Sequence, residues 1–221
     1  MKLHFDCFET PLGALVAAVE ADGALVRLEF VDAVAADPVA AFVAALVERG
    51  HAPMASRSRL ATVRREVREF LSGKRERFDL VLRPSGTAFQ QAVWAVVLRV
   101  AYGSTLTYPE LAKRVRRPTA IRAVARANAG NPIALAIPCH RIVGSDGHLL
   151  GYGGGVPRKA ALLRFESRTE KARLAGLLAE EHDADARTRL SAVESAASGR
   201  DPVSASRAPG RVAARRTRSA R

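Results

Sequence analysis

TYPELAKRVRRPTAIRAVARANAGNP, Thr107–Pro132, reads as two short helices joined by a tight break, and the fold of the chain is organised around it. Thr107 and Glu110 have the spacing of a capping box, and Pro109 is tolerated in a first turn whose N–H groups lack intrahelical partners. Arg116-Arg117-Pro118 ends the first helix, and Gly130-Asn131-Pro132 stops the second. Such a pair is a helix-turn-helix candidate, although antiparallel helix pairs occur in any globular domain. Three features favour nucleic acid. Lys113, Arg114, Arg116, Arg117, Arg122 and Arg126 are basic. Ala120, Ala123, Ala125 and Ala127 keep the second helix thin enough to approach a groove. Its start at Thr119 offers backbone N–H groups to a phosphate.

The charge layout agrees. The chain of 221 residues has a formal net charge of +13, unevenly spread. Residues 1–80 carry 11 Lys/Arg against 12 Asp/Glu, whereas residues 81–167 carry 12 against 3. Arginine outnumbers lysine 30 to 5, which a GC-biased genome would also produce, but that bias would not spare the first part. A cationic second half points to a polyanionic partner. No apolar run approaches the roughly 20 residues of a membrane span, and the start MKLHFDCFETPLG lacks the apolar stretch of a signal peptide. Two cysteines, Cys7 and Cys139, are too few for a disulfide framework or a cysteine-rich zinc site. A zinc site on His4 and Cys7 would lack ligands. The expectation is a cytoplasmic protein with reduced thiols, no membrane partner, no metal and no cofactor.

Upstream, LVAAVE and ALVRLEF flank Asp22-Gly23 as a hairpin, with Val26, Leu28 and Phe30 alternating with Arg27 and Glu29. Residues 33–55 read as a helix plus loop. LATVRREVREFL then spaces Leu60, Val63, Val67, Phe70 and Leu71 along one helical face. A turn, a short strand and a linker follow through residue 87. The division falls near 83: residues 1–83 form an α/β domain with antiparallel strands, 84–170 a mainly helical domain, and 171–221 a basic tail, partly helical and then without apolar period. In the second domain Phe89, Val93, Val96, Val97 and Val100 make a stripe. PIALAIPCHRIV reads as a buried strand, GYGGG as a turn, and RKAALLRFE as a helix that brings Glu166 to its far end. Residues 196–221 hold seven arginines and one aspartate, a composition that adds unspecific affinity for DNA.

Cys139 is the chemical candidate. A lone cysteine is usually a small core residue, but a thiol becomes a nucleophile beside a base or a positive charge, and His140 and Arg141 follow directly. His140 could equally be a structural hydrogen bonder. On an extended segment neighbours point to opposite faces, so His140 should not touch Cys139, and a water or a bend after Pro138 would have to carry the proton. The histidine would need a carboxylate to set its tautomer. Of Glu110, Asp146 and Glu166, the first caps a helix and the second sits in a turn, which leaves Glu166.

Pro138-Cys139-His140-Arg141-Ile142 resembles the active-site motif of the O6-alkylguanine-DNA alkyltransferases, the methylated-DNA–protein-cysteine methyltransferase family. TPLG near residue 10, LSGKRERFDL near 75, GTAFQQAVW at 86–94, GNPIALAIPCHRIV at 130–143 and GYGGGVPRKAALLRFE at 151–166 are similar to family landmarks in order. The resemblance implies an α+β fold, with a ribonuclease-H-like N-terminal domain and a winged-helix-like domain containing the helix-turn-helix. It implies a monomer that meets double-stranded DNA bearing O6-alkylguanine and moves the alkyl group once, irreversibly, to Cys139. By the same resemblance Glu166 orients His140, which acts through water on Cys139. Tyr152 bonds the base, Asn131 links the recognition helix to the active-site segment, and Tyr108 crowds the phosphate of the rotating nucleotide. Arg122 fills the vacated stack, while Ile142, Gly153 and Lys159 belong to the base pocket. Thr119, Ala120, Ala123, Arg126 and Arg141 are expected on DNA. Flipping is needed because O6 lies inside a base pair, and a minor-groove reader suits a protein that scans any sequence.

The chain departs from the family pattern at Gly153, where some members have serine, and at Ala101, where many have proline. Contact with O6 then rests more on backbone N–H groups and Tyr152. Three other readings fit less. A non-catalytic lesion binder would lack Cys139, a transcription regulator would leave Pro138–Arg141 idle, and a Cys–His peptidase would need an oxyanion site.

Overall fold

The structure is a computed structural model that describes residues 1–31 and 37–169. Strands β1 (Lys2–Phe8), β2 (Leu15–Glu20), β3 (Leu25–Phe30) and β4 (Ala52–Ala55) form a sheet in the order β3-β2-β1-β4. β1, β2 and β3 are antiparallel, but β4 runs parallel to β1, so the sheet is mixed rather than antiparallel. β4 lies within the stretch read from sequence as helix plus loop. It is four residues long, mostly exposed and contains Pro53, which an edge strand tolerates, so it carries little periodic signal.

β2 shows no alternation because both its faces are covered. Leu15, Ala17 and Val19 point into one apolar cluster, and Val16 and Ala18 into a second with Phe42 and Leu46. Those last two belong to helix α1 (Pro38–Glu48), which Asp37 caps by accepting the Ala40 N–H at 2.9 Å. Helix α2 (Ala61–Leu71) covers the other face with Val63, Val67 and Phe70, matching the expected stripe. Emptying the Phe70 site by Phe70→Ala would cost about 3–5 kcal/mol. In β3 the expected alternation slips at Val26. Ala18 pairs with Arg27 and Val19 with Leu25, so Val26 is the extra residue of a bulge and packs with the α1 cluster, while Leu25, Leu28 and Phe30 face the main core.

The short strand expected near residue 80 is one bridge: Leu25 donates to Val81 O and Arg83 to Leu25 O, both at 2.8 Å. Arg83 also pairs with Glu20 and Asp22. Beyond it come helices α3 (Ala88–Val97), α4 (Tyr108–Arg114), α5 (Ile121–Ala129) and α6 (156–169), the sixth α-helix among the described residues. Two-residue strands β5 (Leu106–Thr107) and β6 (Ile142–Val143) pair in parallel. In α3, Val93, Trp94 and Val97 are buried, whereas Phe89 and Val96 are only partly so. Trp94 joins α3 to α5 by donating Nε1–H to Ala127 O at 2.8 Å. The Thr107/Glu110 capping box forms as expected, and α4 and α5 are the two helices of the candidate motif. α5 starts at Ile121 with Ala120 as an N-cap that supplies no side-chain bond, so Thr119 lies in the turn before the helix rather than at its start.

One apolar cluster runs from Leu15 and Val67 to Val93, Leu111, Val124 and Leu162, across the expected boundary near residue 83. The described residues all fall in one compact unit. The tail, 171–221, lies outside the described residues.

Candidate active site

Of PIALAIPCHRIV only the last two residues, Ile142–Val143, are a strand. Before them the backbone coils through turns: Ile137 donates to Ile133 O at 3.0 Å, Ala136 to Ala134 O at 2.7 Å, and Leu135 is left-handed with φ of 65°. Pro138 has φ −80° and ψ 59°, and Cys139 donates to Ile137 O at 2.7 Å across it, an inverse γ-turn centred on the proline. The ring fixes φ near the value this turn needs, which is why a proline precedes the thiol. Cys139–Arg141 then form a 3₁₀ turn. Apolar content alone suggested a strand, but the segment has no alternation, and the N–H groups of Ala136, Ile137, Cys139 and Arg141 are spent within it, while that of Ala134 reaches Leu28 O on β3 at 2.7 Å. The expected divergence of Cys139 and His140 still follows, from about 120° of rotation per residue rather than from an extended chain.

Three polar anchors hold this turn. Asn131, just beyond α5, donates Nδ2 to Cys139 Sγ at 3.0 Å and to Ile137 O at 2.9 Å, while its Oδ1 accepts the Ile133 N–H at 3.0 Å. Asn128, buried on α5, donates to Cys139 O at 3.3 Å. His140 and Glu166 are both fully buried, with Nε2 2.8 Å from Oε1. Glu166 also accepts from Arg141 Nε at 2.9 Å, Arg141 Nη2 at 3.0 Å and Gly103 N at 3.1 Å.

Burial works against the Glu166 carboxylate, but hydrogen bonds from His140 and Arg141 and the Arg141 charge outweigh it and hold its pKa below the ordinary value. An ionised Glu166 accepts, so His140 carries its proton on Nε2 and presents Nδ1 as a lone pair. Among the described residues that Nδ1 has no hydrogen-bond partner. Burial, only partly opposed by Glu166, lowers the His140 pKa and keeps the ring neutral. Burial raises the Cys139 thiol, against the Asn131 bond and the Lys159 charge. The resting pair is therefore a neutral thiol and a neutral imidazole.

The thiol opens into a cavity of about 920 Å³ lined by Cys139, Asn131, Ala134, Tyr152, Gly153 and Phe30, among others. Tyr152 sets its ring edge-on to His140 at 6.2 Å, and its buried hydroxyl has no partner among the described residues. Burial pushes that phenol well above its ordinary pKa, so it stays a donor. Gly153 is exposed on the rim. Ala129 and Gly130, at the end of α5, line the same cavity. Arg122, Ala123 and Arg126 are exposed earlier on that helix, so Arg122 stands about 10 Å along the axis from the rim.

The structure thus brings together Cys139, His140, Glu166, Asn131, Tyr152 and Gly153. Other expectations need correction. Arg141, expected on DNA, is 5% exposed and spends its guanidinium on Glu166 and on Val100 O at 2.8 Å. Lys159 is fully buried and donates to Ile142 O at 2.6 Å and Leu150 O at 2.7 Å, so it clamps backbone instead of lining the pocket. Ile142 is buried in β6. Tyr108 is 6% exposed at the start of α4, with Lys159 Nζ 6.0 Å over its ring. Asn128, Trp94 and Phe30 were missed. Asn128 was the findable one, a polar residue at i+4 from Val124 on the buried stripe of α5. Among the described residues no group of three or more His, Cys, Asp or Glu could hold a metal, and no helix is long and apolar enough to cross a membrane.

Residues 88–168 match the family model for the DNA-binding domain of 6-O-methylguanine DNA methyltransferase. A Methanosarcina mazei methylated-DNA–protein-cysteine methyltransferase is 44% identical over 109 residues, 49% of this chain and 69% of that protein. The corresponding Methanosarcina barkeri protein is 50% identical over 102 residues, 46% of this chain, and the match spans 65% of its length. The crystal structure of Mycobacterium tuberculosis O6-methylguanine methyltransferase superposes with a TM-score of 0.64 at 34% identity, over 76% of this chain and 94% of that one. A Mycobacterium tuberculosis OGT solved in complex with DNA gives 0.62 at 33% identity, over 75% and 94%. The chain belongs to the methylated-DNA–protein-cysteine methyltransferase family.

Proposed function

We propose that this chain repairs DNA by direct reversal, taking the alkyl group of an O6-alkylguanine onto Cys139. The observation that carries the reading is the thiol held by Asn131 at the cavity wall, one residue from an imidazole whose unpartnered Nδ1 is backed by the Glu166 carboxylate. His140 Nδ1 takes the thiol proton through water as Sγ attacks the alkyl carbon. The S–C bond forms, the C–O6 bond breaks, and the proton lost by the thiol ends on the released guanine. Tyr152 donates its hydroxyl to the base while charge grows there. The thioether has no bond that water readily cleaves, so each chain acts once.

The partner is double-stranded DNA. α5 enters the minor groove with Ala123 and Arg126 against it, the turn residues Thr119 and Ala120 approach the backbone, and Arg122 fills the stack vacated by the flipped nucleotide. Tyr108 acts from the start of α4. Gly153 leaves the rim beside O6 to backbone groups, and Lys159 holds the Ile142 carbonyl and hence the pocket floor. In this reading residues 1–83 are a ribonuclease-H-like domain, 84–170 a winged-helix-like domain, and the basic tail adds unspecific affinity. The protein works as a monomer in the cytoplasm, on the nucleoid, without cofactor or metal.

The test is the mass of the intact protein after incubation with a duplex holding one O6-methylguanine. The reading expects one added methyl, mapped to the peptide containing Cys139 and absent in Cys139→Ala. Unchanged mass with tight lesion binding would make the chain a non-transferring binder.

A further inference from the structure

We infer that Arg158 and Phe30 are positioning residues for the base pocket: they fasten the glycine-rich turn bearing Tyr152 to the N-terminal sheet. What they position rests on the alkyl-transfer reading; the tether itself is independent of it. Arg158, in the first turn of α6, donates Nε to Leu12 O at 2.7 Å and Nη1 to Gly154 O at 2.9 Å. Its guanidinium carbon lies 4.8 Å from the centre of the Phe30 ring. One planar cation therefore joins the β1–β2 loop, the end of β3 and the turn at 151–155. A guanidinium suits this junction because its rigid fork serves two carbonyls while its face stacks on a ring.

Gly154 shows how closely the parts meet. A Cβ there would stand 2.7 Å from Phe30 Cδ2 and 2.8 Å from Tyr152 Cε1, so the turn lies flat between the two rings and only glycine fits. Phe30 and Gly154 line the same cavity as Cys139 and Tyr152. The far end of Tyr152 is not locked, because its hydroxyl has no partner among the described residues. Its aim is set at the near end, by the packing of the turn on Phe30 and Arg158. The hydrogen bonds that anchor the Cys139 network, in contrast, run to Asn131, Asn128 and Glu166, and none of them involves this junction. Loosening it should disturb the placement of the base and leave the thiol as it was.

The test compares Arg158→Met with the natural chain in three measurements. Methyl transfer from a saturating O6-methylguanine duplex should slow by about tenfold to a hundredfold, the range that misplacement of a reacting group produces. Affinity for undamaged duplex and alkylation of Cys139 by iodoacetamide should stay within about twofold, since neither needs a seated base. Amide exchange across residues 151–156, where Gly155 N–H is bonded to Tyr152 O at 2.9 Å, should quicken by about tenfold. Arg158→Lys, which keeps the charge and one carbonyl bond, should recover part of both losses. Phe30→Leu should reproduce them, and it replaces Arg158→Met if that variant does not fold. Unchanged transfer, unchanged exchange, or an equal fall in iodoacetamide reactivity would overturn the proposal. If the natural chain transfers no methyl group, the alkyl-transfer reading fails and the exchange measurement alone decides the tether.

Discussion

His140 Nε2 lies 2.8 Å from Glu166 Oε1, and Arg141 grips the same carboxylate through Nε and Nη2, all inside the protein. Adjacent residues of one motif therefore share one acid twenty-odd positions away. Glu166→Gln should weaken both links. Leaving Arg141 without its counter-charge should lower the unfolding free energy by about 3–5 kcal/mol, read from urea denaturation. Methyl transfer should slow by about a hundredfold or more, the scale of a positioned base. A variant with full stability and full rate would remove Glu166 from the account.

The protonation of this cluster gives stability a defined pH window. The His140 pKa is lowered from 6.5, so the unfolded chain binds the extra proton first; the contribution is complete above about pH 6.5 and is lost as pH falls. Glu166, also lowered, adds a further loss in the carboxylate range. Cys139 is raised, so its contribution is complete below the ordinary thiol value and fades as pH rises above about 8.5. The summed contribution of His140, Glu166 and Cys139 should be flat between about pH 6.5 and 8.5 and decline on both sides, while buried Lys159, whose pKa is lowered, opposes the alkaline decline. His140→Gln should reduce the slope between about pH 6.5 and 5, and an unaltered slope would assign it to other groups.

Asn131 makes one side chain serve Cys139 Sγ, Ile137 O and the Ile133 N–H. Asn131→Ala would leave buried backbone groups unpaired, costing about 1–3 kcal/mol by denaturation. It should also slow transfer, because the γ-turn behind Cys139 loses its brace. A variant that loses rate with no loss of stability would mean that Asn131 acts on the thiol alone.

Arg122 is exposed on α5, whose far end borders the cavity. If it fills the vacated stack, Arg122→Ala should slow repair of duplex DNA by about tenfold or more, since unstacking costs a few kcal/mol, and leave reaction with free O6-alkylguanine base unchanged. Equal effects on both substrates would give Arg122 another role.

Long periodic elements were legible in the sequence. The hairpin around Asp22-Gly23, the stripe of α2 and the capping box of α4 follow from local pattern, and all three form. β4 was not legible, because a four-residue edge strand is specified by its partner β1 rather than by its own alternation. The slip at Val26 is likewise a property of pairing with β2. In the site, Cys139, His140 and Glu166 were found from chemistry and motif. Arg141 was misplaced because a cation beside a thiol in a basic domain reads as a DNA contact, and Lys159 because the resemblance put it in the base pocket. Nothing local reveals that Glu166 and two backbone carbonyls will bury them. The tether through Arg158 joins residues 12, 30, 154 and 158, a long-range closure that sequence pattern does not encode.

The most direct test of the central claim is a titration of the protein with excess O6-methylguanine duplex, counting repaired guanines against protein. Acceptance by Cys139 predicts a rapid rise to one repaired base per chain and then a plateau, with no restart on addition of fresh DNA. Continued repair beyond one base per chain, or a plateau reached equally by Cys139→Ala, would contradict it.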